Sequence, residues 1–177
     1  MIINIIEGDI TQLKIDAIVN AANCSLLGGG GVDGAIHRKA GKELLDECRR
    51  FNGCNTGDAI ITKGYRLPSK FVIHTPGPVW HGGSQNESDL LKSCYTNCLK
   101  LASKHKLRDI AFPAISTGIY GYPLEDATSI AIRTVLHWHE KYPSEVIFVT
   151  FSKIAYTAYK KIYAEIIQLS HKDNINI

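Results

Sequence analysis

Six short runs rich in β-branched residues, Ile2 to Glu7, Ala17 to Asn20, Ala59 to Thr62, Phe71 to His74, Ile110 to Pro113 and Val146 to Phe151, recur along the chain and read as strands. Between them the apolar period changes from two to three and four. Ile36, Ala40, Leu44, Leu45 and Cys48 share one face of a first helix, and Leu91, Cys94, Tyr95, Cys98 and Leu101 one face of a second. Ala127, Ile130, Ala131, Val135 and Trp138 mark a third, and Ala155, Ala158, Tyr159, Ile162, Tyr163 and Ile166 a fourth. Strands alternating with amphipathic helices predict a layered α/β domain whose sheet is largely buried. A chain of 177 residues fits one such domain. The domain is assigned to residues 1–170 and a short polar tail to 171–177, the stretch from Ser170 onward reading as frayed.

Two connections interrupt this regularity, and both follow the carboxyl ends of predicted strands, where open α/β sheets bind ligands. In the first, four consecutive glycines, Gly28 to Gly31, precede Val32-Asp33-Gly34-Ala35-Ile36-His37 at the start of a helix. Backbone without Cβ atoms can approach an anion closely, and a helix N-terminus offers it free N–H groups and a favourable dipole, so the stretch reads as a phosphate cradle. Asp33 at that junction either caps the helix or does chemistry beside the phosphate. Gly29-x-Gly31-x-x-Gly34 formally satisfies a dinucleotide fingerprint, but eight residues separate it from Asn20, and no acidic residue ends a strand about 20 positions later. A Rossmann reading is therefore rejected.

Asn20-Ala21-Ala22-Asn23 closes the second strand and puts two carboxamides at the mouth of this loop, suited to a ribose or to ordinary turn chemistry. The second connection, Ser116-Thr117-Gly118-Ile119-Tyr120-Gly121-Tyr122-Pro123, supplies a further set of amides, with Pro123 able to start the next helix. Two amide-lined loops suit a diphosphate. Gly8-Asp9-Ile10-Thr11 ends the first strand, where Asp9 either closes a turn toward Thr11 or accepts from an exocyclic amine. Phe151 ends the last strand and either stacks on a base or packs beneath the following helix, the commoner fate of a lone aromatic. His74-Thr75-Pro76-Gly77-Pro78 and His81 read as a shaped turn in preference to a catalytic centre.

Charge narrows the partners. The net charge is +3, with Lys and Arg scattered among the acids, so no basic stripe for nucleic acid forms. The apolar opening Met1 to Ile6 has no basic leader and is interrupted by Glu7 and Asp9, so neither a signal nor a membrane span is expected. Five cysteines, an odd number with no C-x-x-C pair, read as reduced thiols of a cytosolic protein, Cys94 and Cys98 being core residues and not metal ligands.

Gly8-Asp9-Ile10-Thr11, Ala17-Ile18-Val19-Asn20-Ala21-Ala22-Asn23, Leu27 to His37 and Ser116 to Pro123 together resemble the macrodomain family, in particular its MacroD-type hydrolase branch, over almost the whole chain. The resemblance implies a three-layer α/β/α fold around a mixed six-stranded sheet, ADP-ribose as the bound core, and hydrolysis of esters on its distal ribose: O-acetyl-ADP-ribose and mono-ADP-ribosylated Asp or Glu of proteins. The rival is a module that binds ADP-ribose without turnover. Carried across, the resemblance gives Asp9, the Ile10 backbone and Phe151 to adenine, and Asn20, Asn23 and Asp33 to the distal ribose. Gly31, Val32 and the amides of Ser116, Thr117, Gly118, Ile119 and Tyr120 go to the diphosphate. Asp33 is the implied general base or water-positioning group, with Asn23 orienting the sugar and His37 beside it. No metal or cofactor is implied. The chain departs from the family pattern at Phe151-Ser152, which replaces an aromatic-Asp pair, and at Pro76, where an aliphatic residue is usual.

Overall fold

The computed structural model describes residues 1–173. Its six strands are β1 (Ile2–Glu7), β2 (Ala17–Ala22), β3 (Ile60–Lys63), β4 (Phe71–Pro76), β5 (Asp109–Phe112) and β6 (Glu145–Thr150), in the spatial order β1-β6-β5-β2-β4-β3. Every neighbouring pair is parallel except β3 with β4. The helices are α1 (Gly31–Ala40), α2 (Lys42–Arg49), α3 (Glu87–Lys104), α4 (Leu124–Leu136) and α5 (Lys153–Asp173).

Strand alternation sorts the core into two halves, because successive side chains leave opposite faces of the sheet. Ala17, Val19, Ile73, Phe112 and Phe148 pack with the apolar stripes of α3, α4 and α5. Ile18, Ala22, Val72, Ala111 and Val149 pack on the other face with Ile36 and Ala40 of α1 and Leu44 and Cys48 of α2. The expected mixed, layered α/β sheet is thus the one observed. Cys94 and Cys98 are buried in the first half as free thiols.

Two expectations are corrected. The stripe from Ile36 to Cys48 belongs to two helices, because Gly41 stands between them at φ +91, a left-handed conformation at which α1 ends. The stripe survives the break since each half still turns its apolar side to the same sheet face. The frayed tail is likewise shortened: α5 continues through Asp173, and only 174–177 of the assigned tail lie outside the described residues. Among the described residues no helix is long and apolar enough to cross a membrane.

Candidate active site

Four parallel strands deliver the site. β1, β6, β5 and β2 lie side by side, so their carboxyl ends form one rim. Asp9 follows β1, Phe151 follows β6, the 113–123 connection follows β5, and the glycine loop follows β2. The predicted residues therefore converge, with the implied adenine pair at one end of the rim and Asp33 toward the other.

The glycine loop is shaped by close contacts. A Cβ on Gly34 would lie 2.4 Å from the carbonyl oxygen of Gly29, so only glycine lets α1 approach the loop this closely. Gly31 starts α1 at φ +58, Gly30 is its N-cap, and no side chain caps it. The first-turn amides of Gly31, Val32 and Asp33 therefore have no intrahelical partner and are available to an anion. In the second loop Gly121 N–H donates to Gly118 O at 3.0 Å and Tyr122 N–H to Ser116 O at 2.9 Å, closing the turn. Thr117 fastens the loop, its hydroxyl (2.8 Å) and its amide (3.4 Å) both turned to Ala114 O. The amides of Ser116, Gly118, Ile119 and Tyr120 have no backbone partner among the described residues.

At the adenine end, Asp9 does close a turn, its Oδ1 accepting from Thr11 N (2.9 Å) and Thr11 Oγ1 (2.7 Å). Those bonds, chiefly the one from the Thr11 hydroxyl, hold its carboxyl below the usual range. Oδ2 remains for another donor. Ile10 is buried beneath. Phe151 is 92% exposed and supports no core, which overturns the packing alternative and leaves it just past the end of β6, the strand paired with the β1 that Asp9 follows.

Of the two roles left open above for Asp33, the cap is not the one observed. This residue is the third of α1, bonds no backbone N–H, and is 5% exposed. Its Oδ1 accepts from Asn20 Nδ2 at 2.8 Å, and His37 Nε2, one helical turn on, stands 3.4 Å from the same oxygen but too poorly aligned for a hydrogen bond. Burial pushes the carboxyl above its ordinary pKa, while Asn20 and His37 pull it back. Its Oδ2 faces Gly29, 3.1 Å from where a Cβ would stand. A carboxyl raised by burial yet bonded by Asn20 is chemically able to take up and release a proton.

The two carboxamides fall differently from expectation. Asn23 is half-buried and bonded within its own loop, Nδ2 to Gly28 O at 2.9 Å and Oδ1 to the Ser25 amide and hydroxyl. Asn20 is fully buried beneath Asp33, away from the mouth, so in this arrangement it reaches a ribose only through that carboxylate. Under Asn20 lies His74, which the turn reading passed over. β4 continues to Pro76, and His74 stands opposite Asn20 in the β2–β4 register with Nδ1 3.2 Å from Asn20 Nδ2. Its Nε2 meets Thr62 Oγ1 at 2.9 Å. Pro76 fits the strand because β3 pairs with β4 only as far as His74. Burial, aided by the nearby His37, pushes the His74 imidazole down to about 3, so it is neutral. The detectable signal was the matching position of Asn20 and His74 at two apolar strand ends.

A cavity of about 700 Å³ opens between the 52–60 segment and α3, lined by none of these residues. No three His, Cys, Asp or Glu side chains gather as a metal site requires among the described residues.

The Macro domain model matches residues 19–131. A Macro domain-containing protein of Chlorobaculum tepidum is 61% identical over 166 residues, 93% of this chain and 96% of its own. The O-acetyl-ADP-ribose deacetylase of Salmonella typhimurium is 52% identical over 169 residues, 92% of this chain and 94% of its own. Among solved structures, a mutant of the Oceanobacillus iheyensis macrodomain with ADPR superposes with a TM-score of 0.88 at 44% identity, covering 93% of this chain and 92% of that one. On these grounds, and on a fold and rim that agree with them, the chain belongs to the macrodomain family.

Proposed function

We propose that the protein binds ADP-ribose and hydrolyses esters on its distal ribose, with O-acetyl-ADP-ribose and mono-ADP-ribosylated Asp or Glu side chains of proteins as substrates. The observation that carries this reading is Asp33: a carboxylate 5% exposed, raised by burial, spent on no helix cap and seated in the first turn of α1 against the glycine loop. A module that only binds an anionic diphosphate gains nothing from a buried negative charge beside it. The 52% identical deacetylase and the ADPR-containing structure at 44% identity support the same chemistry.

In this account Asp9 Oδ2 accepts from the adenine amine and Phe151 covers the ring. The amides of Gly31 and Val32, with those of Ser116, Gly118, Ile119 and Tyr120, hold the diphosphate, and Asn23 fixes the loop against the distal ribose. Asp33 takes a proton from water as the water oxygen bonds to the ester carbonyl carbon. The bond from that carbon to the ribose oxygen then breaks and the proton passes to the ribose oxygen, leaving acetate, or a free Asp or Glu carboxylate, and ADP-ribose. A substrate held in place and a fixed water supply most of the rate, without a covalent intermediate. Five free cysteines accord with a reducing cytosolic setting.

Incubation with O-acetyl-ADP-ribose and with glutamate-ADP-ribosylated protein, following acetate and ADP-ribose release separately, tests the proposal. Release from both substrates is expected. Tight ADP-ribose binding with release from neither would make the protein a binding module and end the catalytic assignment.

A further inference from the structure

The buried polar groups under Asp33 form a continuous chain that the ester-hydrolysis scheme does not use. Lys63 O accepts from Thr62 Oγ1 at 3.2 Å, Thr62 Oγ1 meets His74 Nε2 at 2.9 Å, His74 Nδ1 meets Asn20 Nδ2 at 3.2 Å, and Asn20 Nδ2 donates to Asp33 Oδ1 at 2.8 Å. Thr62, His74 and Asn20 are each no more than 2% exposed, enclosed by the apolar residues between the sheet and α1 and α2. Such groups are costly to bury unless each has a partner.

The chain has a direction. The Thr62 hydroxyl has one proton to give, to Lys63 O at 3.2 Å or to His74 Nε2 at 2.9 Å. Given to Lys63 O, it leaves a lone pair toward His74, and the imidazole then carries its proton on Nε2, which also stands 3.8 Å from Cys48 Sγ. Nδ1 is then bare and accepts from Asn20. With acceptors on two sides, His74 Nδ1 and Asp33 Oδ1, the carboxamide must present NH₂ to both, although this leaves its own Oδ1 buried without a partner. A flipped amide would set Oδ1 against both acceptors.

We infer that His74, held in its Nε2–H tautomer by Thr62, is a positioning residue that locks the Asn20 carboxamide donor-first against Asp33 and so keeps the buried carboxyl ionised. The reason lies in what a neutral Asp33 would need. A protonated carboxyl donates, and the one acceptor Asn20 has is Oδ1, which can turn to Asp33 only by facing the bare Nδ1 of His74. At Asn20 the lock thus denies the neutral acid an acceptor while giving the carboxylate a donor, opposing the burial that favours protonation. Of the other titratable groups facing Asp33, His37 on α1, 3.4 Å away and out of alignment, also favours the carboxylate, through charge and not through a hydrogen bond. Cys48 on α2, its thiol pushed up to about 12 chiefly by burial, carries no charge.

This inference rests on Asp33 as the proposed base, but its test needs no turnover, so the two can fail separately. Nitrogen-15 spectra of the imidazoles in the wild-type protein should show His74 protonated at Nε2 and bare at Nδ1. A proton on Nδ1 would overturn the inference outright. Carbon-13 titration read at the Asp33 carboxyl then compares variants. His74→Leu should raise the Asp33 midpoint by about one pH unit, a tenfold shift in proton binding, and Thr62→Val should move it the same way by releasing the tautomer. His74→Asn, which keeps an oxygen where Nδ1 stood, should restore most of the wild-type value. A midpoint unmoved by His74→Leu, or moved equally by Asn, would reduce His74 to packing. If His74→Leu does not fold, the tautomer and the Thr62→Val titration decide.

Discussion

Replacing Gly34 by Ala puts one methyl group where α1 meets the glycine loop, and its consequences can be worked out from the contacts. The new Cβ would stand 2.4 Å from Gly29 O and 2.9 Å from an Arg38 guanidinium nitrogen, against an ordinary contact of at least 3.4 Å. Arg38 is exposed and swings away, but the Gly29 carbonyl belongs to the backbone and must retreat by about 1 Å. Alanine gains about 1 kcal/mol over glycine inside a helix, whereas overpacking costs about 1–3 kcal/mol. The net loss is at most about 2 kcal/mol, a Tm lowered by no more than about 8 °C in a protein of this size. Function should suffer more, because Asp33 Oδ2 and Asn23 Nδ2 both lie against Gly29 and shift with it. A displacement of about 1 Å can cost about a hundredfold in rate. Calorimetric unfolding and kcat/KM on O-acetyl-ADP-ribose are measured together, with Gly30→Ala as a stability control because nothing lies within 4 Å of its Cβ. A Gly34→Ala protein with unchanged kcat/KM would refute the claim that this approach shapes the site.

Two further outcomes follow from single side chains. Phe151→Ala should leave the Tm unchanged, since the ring is 92% exposed, yet weaken ADP-ribose and AMP by a similar factor of roughly ten, the scale of one lost base stack; equal affinity in calorimetry would remove Phe151 from the adenine site. Glu87 is buried at the head of α3, where burial alone would raise its carboxyl, but the amides of His81, Gly83 and Gln85 donate to it and hold it at about 2. A depressed carboxyl contributes stability that is fully present above its unfolded value of 4.5 and is lost as pH falls toward 2. Urea unfolding between pH 7 and 2 should therefore fall more steeply for the wild type than for Glu87→Gln, and parallel curves would contradict the assignment.

How far the chain could be read in advance depended on whether a signal was local. Strand positions and helix faces came from apolar periodicity, which is set by neighbours in sequence, and the two loops declared themselves through glycine. Gly41 was legible as a breaker, but the spacing from Ala40 to Leu44 preserved the helical period across it. Phe151 could be read either way from its neighbours, because nothing local distinguishes a ring under a helix from one beside an open cleft. The pairing of Asn20 with His74 was hidden for a different reason: it depends on the parallel pairing of β2 with β4 and joins residues 54 apart in sequence. Pro76 and Gly77 also made the end of that strand resemble a turn.

The central claim is that Asp33 is a base and not a structural carboxylate, and Asp33→Asn tests it most directly. The amide oxygen can still accept from Asn20 Nδ2, so the fold should persist. Because burial raises the folded pKa of Asp33, its ionised form opposes folding as pH rises through that value, and the variant should equal or exceed wild-type stability at neutral pH. ADP-ribose should bind as well or better, with a negative charge removed from beside the diphosphate. Acetate release from O-acetyl-ADP-ribose at saturating substrate should fall by about a hundredfold or more. Release within a few-fold of wild type, in a folded variant that still binds ADP-ribose, would contradict the account.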